Sequence, residues 1–217
     1  METTTKIKNR ITELFQKKSN NILNIYFTAG YPKIEDTVTV LKALEKAGVD
    51  MVEIGMPYSD PVADGPIIQQ SSLDSINAGM TIKKLLEQLK DVRKEVTIPI
   101  LLMGYFNTVM QYGVETFMKE ISEIGIDGVI IPDLPLDEYI EHYQVICESN
   151  NISNVSLITP NTSDERLHVI DNITQGFIYM VSTNSTTGND AKKTEDNHEA
   201  YFNRIKSFGL KSPRMIG

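Results

Sequence analysis

The sequence predicts a parallel α/β domain, and a (β/α)8 barrel fits it better than a doubly wound open sheet. Three observations carry this. Short apolar, β-branched runs alternate with segments of helical periodicity along all 217 residues. No composition shift marks a linker, so residues 1–217 read as a single (β/α) barrel domain. Gly, Pro, Asp and Asn gather after almost every strand, which suits a barrel whose loops build one site at one end. An open sheet would use mainly its switch point.

The elements follow in order. Ile7, Ile11, Leu14 and Phe15 recur at helical spacing and predict an amphipathic helix ending near Lys17. Residues 22–27 form a short apolar strand, and Thr28-Ala29-Gly30-Tyr31-Pro32 is a loop by its Gly and Pro. Helix 35–47 stops at Gly48, strand two covers 51–54, and a loop runs to Gly65. Helices 67–78 and 81–94 follow, the second with Ile82, Leu85, Leu86 and Leu89 on one face. Strand three, 98–103, enters the loop Gly104-Tyr105-Phe106-Asn107. Helix 114–124 ends at Gly125, and strand 129–131 runs into Pro132-Asp133-Leu134-Pro135.

Helix 137–149 precedes strand 155–158, Ser163 caps a helix through residue 170, and strand six covers 177–181. Segment 182–197 is polar and aperiodic, the pattern of a lid loop. Tyr201, Ile205 and Phe208 mark another helix, and residues 214–216 start a seventh strand. An internal echo supports repeated βα units: Gly-Val-Asp-Met-Val-Glu-Ile at 48–54 against Gly-Ile-Asp-Gly-Val-Ile-Ile at 125–131.

Bulk properties narrow the function. The formal charge, 21 − 29 = −8, argues against a nucleic-acid partner. The lone Cys147 excludes an internal disulfide and fits a reducing compartment. His142, His168 and His198 lack ligand spacing, so no metal site is expected. Residues 1–10 carry no signal-peptide core, and no apolar run approaches the roughly 20 residues of a membrane span. The expectation is a cytoplasmic protein without membrane contact.

Chemistry concentrates between Met51 and Gly65. Glu53 sits in an apolar strand and points away from Val52 and Ile54. A buried, unpaired carboxylate is costly, so Glu53 is either paired with a lysine, at an exposed edge, or an acid/base group with a raised pKa. Asp60 and Asp64 lie on the following loop, where either also suits a plain turn. Asp50 precedes the strand. Tyr26, Tyr105, Phe106 and Tyr179 lie near strand ends, where they either pack the core or line a pocket for a flat aromatic ligand. Ser185-Thr186-Thr187-Gly188 and Gly104-Tyr105 are weak phosphate signals.

The run from Glu53 to Pro66, Glu-Ile-Gly-Met-Pro-Tyr-Ser-Asp-Pro-Val-Ala-Asp-Gly-Pro, resembles the signature of the tryptophan synthase alpha subunit family. Phe27 to Pro32, Leu102 to Asn107, Pro132 to Pro135, Pro160 to Thr162, and Tyr179 to Ser182 with Thr187-Gly188 resemble its other landmarks in the same order. The resemblance implies a (β/α)8 barrel lyase of tryptophan biosynthesis. It cleaves indole-3-glycerol phosphate to indole and glyceraldehyde 3-phosphate without a cofactor. It implies Glu53 as catalytic acid/base and Asp64 as catalytic aspartate. Tyr26, Met103, Tyr105, Leu157 and Tyr179 become pocket residues, and Thr187 and Gly188 lid residues near the phosphate. It also implies a β-subunit partner in an α2β2 heterotetramer, which carries its own pyridoxal phosphate and is faced by Asp60 and the lid.

Two departures stand out. The lid entry reads Thr183-Asn184-Ser185-Thr186 rather than Arg-Ala-Gly-Val, with the charged stretch 191–199 after it. Residues 213–217 match the family's strand seven, whereas its eighth βα unit, with a Gly-Ser phosphate site, has no counterpart. The expected barrel is therefore incomplete at the C-terminus, with strands 1–7 present. A truncated gene or sequence is one account of this, and a non-catalytic subunit that binds a β-like partner is the alternative function.

Overall fold

The computed structural model describes residues 7–61, 64–182 and 195–217. Parallel strands β1 (Asn24–Thr28), β2 (Met51–Gly55), β3 (Ile100–Met103), β4 (Gly128–Ile130) and β5 (Ser153–Asn154) pair in chain order. Strands β6 (Leu157–Ile158), β7 (Ile178–Met180) and β8 (Arg214–Ile216) form a second parallel sheet. The expected fifth strand is thus two segments. Asn154 pairs with Val129 of β4, whereas Leu157 pairs with Tyr179 of β7. The Val155 N–H still donates to Val129 O, and the Tyr179 N–H to Ser156 O, so one stretch of chain serves both neighbours.

Helices return the chain between strands, as parallel pairing requires. They are α2 (Thr37–Lys46), α3 (Pro66–Asn77), α4 (Ile82–Leu89), α5 (Phe106–Tyr112), α6 (Val114–Ile124), α7 (Leu136–Glu138), α8 (Gln144–Ser149), α9 (Asp164–Ile173) and α10 (Glu195–Phe208). The alternation of each strand divides its side chains between two layers. Val52, Ile54, Ile100, Leu102 and Val129 face outward beneath the helices. Met51, Leu101, Ile130, Val155 and Phe177 face the interior. Helix α1 (Arg10–Lys17) plugs that interior from the N-terminal end of the strands with Ile11, Leu14 and Phe15.

Some expectations change in detail. Phe106 begins a helix where a loop was expected, because the Phe106 N–H finds Asp133 Oδ1 at 2.9 Å. That carboxylate comes from the next strand's loop, a contact that local sequence does not show. The 137–149 helix contains a π turn at Tyr139–Tyr143, which buries Tyr139 and sets Tyr143 edge-on to Phe106 at 5.0 Å. The 81–94 helix ends at Leu89, with a 3₁₀ turn at Val92–Lys94. Of the segment read as a lid, 183–194 lie outside the described residues, and Glu195 already starts α10.

Strands β1 and β8 each pair on one side only, so among the described residues the barrel has an open seam between them. No helix among these residues is long and apolar enough to cross a membrane.

The N-terminal end of the strands is fastened by buried charge. Asp127, 1% exposed, meets Arg93 at 2.6 Å and Arg10 at 3.1 Å, and accepts the Ile100 N–H at 2.9 Å. Asn9 caps α1 and donates from Nδ2 to Asp127 O at 2.7 Å. Removing one member of a buried pair strands the others without compensation. Asp127→Ala is therefore expected to cost about 3–5 kcal/mol in urea unfolding. A loss under about 1 kcal/mol would show the network to be dispensable.

Candidate active site

Strand β2 is buried at every position and ends at the loop carrying Asp60 and Asp64. Its alternation puts Glu53 on the same face as interior Met51. Glu53 is 2% exposed, and the Asn24 side-chain amide donates to its Oε1. Neither plain alternative holds, since Glu53 is not at an exposed edge and forms no ion pair among the described residues. Burial pushes its pKa up to about 7, against the opposing effect of the Asn24 hydrogen bond. Near neutral pH this group can therefore both give and take a proton.

Two tyrosines face the carboxyl. Tyr26 on β1 feels Glu53, Asp64 and Tyr105, which places it amid all three. Tyr179 on β7 feels Glu53 from the opposite side of the interior. Burial raises both hydroxyls to about 12, so they stay neutral wherever Glu53 titrates. Gly55 leaves room for Tyr26, because a Cβ there would lie 2.1 Å from the phenol oxygen.

Asp64 is half-buried, and burial raises its pKa while a hydrogen bond from Tyr105 lowers it. Tyr105 also stacks on Tyr58, with ring centroids 5.0 Å apart. Gln69 of α3 ties the loop down by donating to Asp64 O at 2.8 Å. Helix α3 is anchored in turn to the end of β1, through Thr28–Ser71 at 2.7 Å and Ser75 to Ala29 O at 2.5 Å. The result is an apolar, aromatic-walled chamber with a protonatable carboxyl inside and a second carboxylate at its mouth.

The family model described as tryptophan synthase alpha chain matches residues 12–217. The chain is 54% identical over 209 residues to the tryptophan synthase alpha chain of Christiangramia forsetii, covering 96% of this chain and 81% of that one. It is 52% identical over 209 residues to that of Phocaeicola vulgatus, with the same coverage. The chain belongs to the tryptophan synthase alpha chain family. Solved structures agree in fold. A Mycobacterium tuberculosis tryptophan synthase superposes with a TM-score of 0.85 at 27% identity, covering 96% of this chain and 80% of that one. The Legionella pneumophila tryptophan synthase subunit alpha gives 0.84 at 31%, covering 97% and 78%.

The tryptophan synthase alpha signature thus folds into the end of β2 and its loop. Met103, Leu157 and Tyr179 line the interior as partly buried members of one cluster, with Tyr26 beside Glu53. Thr187 and Gly188 lie outside the described residues. Asp60 is exposed and accepts from Ser59 Oγ at 2.6 Å. Among the described residues no group of three or more His, Cys, Asp or Glu is placed to hold a metal. Sequence reasoning missed Asn24, although an asparagine inside the apolar run 22–27 was the available signal.

Clefts of about 470 and 480 Å³ open at the other end of the strands. Their carboxylates are already engaged: Asp171 accepts the Lys211 and Ser212 N–H groups, Asp127 holds two arginines, and Glu13 pairs with Lys17 at 3.8 Å. Chemistry belongs to the Glu53 end.

A folded-state pKa of about 7 against about 4.5 means that the native chain keeps a proton the unfolded chain releases. Stability then falls as pH rises through that window, and the full penalty is present above it. Glu53→Gln, which cannot ionise, is expected to stabilise the fold at pH 8 by roughly 3 kcal/mol and not at pH 4. Equal melting temperatures for the two proteins at pH 8 would contradict this burial.

Proposed function

We propose that this chain cleaves indole-3-glycerol phosphate to indole and glyceraldehyde 3-phosphate using Glu53 and Asp64 and no cofactor of its own. The observation that carries the reading is the buried Glu53 carboxyl, poised at about 7 in an aromatic-walled chamber. Membership of the tryptophan synthase alpha chain family supports it and makes the chain a lyase of tryptophan biosynthesis.

The chemistry follows from the groups. Glu53, protonated, delivers its proton to indole C3. That ring carbon becomes tetrahedral, and positive charge develops at the indole nitrogen. The bond from C3 to the side chain then breaks, its electron pair returning to the ring and restoring the aromatic indole. The side-chain hydroxyl becomes the aldehyde and gives its proton to the Glu53 carboxylate. The net result is one proton moved from oxygen to carbon, with Glu53 returned to its starting state. A group whose pKa lies near the working pH suits both transfers. Asp64, at the mouth of the chamber, stabilises the charge at the N–H. Tyr26, Met103, Tyr105, Leu157 and Tyr179 enclose the ring, and the reading assigns the phosphate to Thr187 and Gly188.

The same reading gives the chain a β-subunit partner in an α2β2 assembly, with pyridoxal phosphate on the partner. Exposed Asp60 and Ile67, the latter 67% exposed, lie at and just after the loop beyond β2, on the side where product would leave. The reading also sets the protein in the cytoplasm, which the buried, unpaired Cys147 fits.

The chain given indole-3-glycerol phosphate, with and without a β partner, is expected to release indole. Glu53→Gln should lower kcat by at least about 100-fold and Asp64→Asn by at least about tenfold. Absence of turnover together with retained partner binding would support the non-catalytic subunit instead.

A further inference from the structure

Acid/base work requires Glu53 to be an anion at one moment and a carboxylic acid at the next, in a position only 2% exposed. The anion needs a hydrogen-bond donor, and the acid needs an acceptor for its O–H. Among the described residues the side-chain amide of Asn24 is the hydrogen-bond partner of the Glu53 carboxyl, donating from Nδ2 to Oε1. The other end of the same amide, Oδ1, is buried and has no partner. Folds ordinarily avoid an idle buried acceptor, so this one asks for an explanation. Half a turn of the amide exchanges Oδ1 and Nδ2 within nearly the same volume.

We propose that Asn24 is a positioning residue for Glu53: its amide donates to the carboxylate and, turned over, accepts from the carboxylic acid. It thereby keeps the carboxyl aimed the same way through both proton transfers. This inference rests on the acid/base role proposed above for Glu53. Asn24 itself lies outside the motifs that carry the family resemblance.

The surroundings leave this task to Asn24. Tyr26 and Tyr179 face Glu53 from β1 and β7, with hydroxyls that stay protonated up to about pH 12. Asp64 and Tyr105 reach the same chamber through Tyr26, and Tyr105 is bonded to Asp64. Burial and the Asn24 hydrogen bond are the influences that set the Glu53 carboxyl itself, with no cation among them. Taking the amide away removes both bonds, and the charge-assisted one to the anion is the stronger, so the carboxyl should hold its proton to higher pH.

The test uses the full chain with ¹³C-labelled glutamate carboxyls, the Glu53 signal being the one lost in Glu53→Gln. Wild type should titrate with a midpoint near 7. Asn24→Leu, close in shape but with neither donor nor acceptor, should move the midpoint upward. The pH profile of indole release should move with it, and kcat should fall roughly tenfold or more while KM stays within about twofold. Asn24→Val, smaller and at home in a strand, carries the same test if the leucine does not fold. An unmoved midpoint overturns the proposal, even where kcat falls, because packing alone would then explain the loss. If wild type releases no indole, the reading of Glu53 as acid/base falls, while the titration still decides whether Asn24 governs its carboxyl.

Discussion

A carboxyl group kept out of water inside an apolar barrel is the constraint on which the rest of this structure depends. Burial alone would empty such a site of charge, so the fold must supply polar company without flooding it. It does so sparingly, with one amide from β1 and two phenols from β1 and β7. A lysine in place of Asn24 would hold Glu53 ionised and end its use as an acid. A fully apolar neighbourhood would hold it protonated and end its use as a base. The value of about 7 sits between these limits because strong desolvation is met by one neutral hydrogen bond. These residues are delivered by β1, β2 and β7, so the site inherits its precision from the sheet.

The opposite end of the barrel bears the mechanical cost. Asp50 precedes β2 and accepts the Leu23 N–H at 2.7 Å while pairing with Lys18 at 2.7 Å. Asp127 precedes β4 and accepts the Ile100 N–H at 2.9 Å while pairing with Arg10 and Arg93. The echo between residues 48–54 and 125–131 is therefore a structural device used twice. An aspartate at the foot of one strand holds the amide at the foot of the strand before it and draws in a cation linked to α1. Lys18 caps that helix and Arg10 begins it. Three of the four acids in and around β2 thus divide by position along the barrel. Asp50 fastens the floor, Glu53 occupies the chamber, and Asp64 guards the mouth.

This division explains how much of the molecule was legible in the sequence. Strands and most helices followed from local pattern, because alternation and 3.6-residue periodicity are written in neighbouring residues. Glu53 was legible for a related reason: a charge inside an apolar run violates the pattern, and violations mark function. Asn24 is a smaller violation on another strand, and its meaning appears only when β1 and β2 are placed side by side. Helix α5 was hidden because its first N–H is satisfied by Asp133, 27 positions later. The break between β5 and β6 was hidden too, since it arises from serving β4 and β7 at once. What escaped was long-range pairing rather than composition.

The open seam between β8 and β1 sharpens where the chemistry resides. Glu53 lies on β2, one strand in from that seam, yet it is buried as deeply as the core around it. Its enclosure comes from Tyr26, folded over Gly55, from Tyr179 across the interior, and from the plug that α1 and Phe177 make beneath. The packing of Phe15 on Phe177, at 5.4 Å, links that plug to β7 without passing through the seam. Edge pairing is therefore not what keeps water from the carboxyl. The groups that set the proton chemistry therefore stand on β1, β2 and β7 and are enclosed by side chains rather than by closure of the sheet.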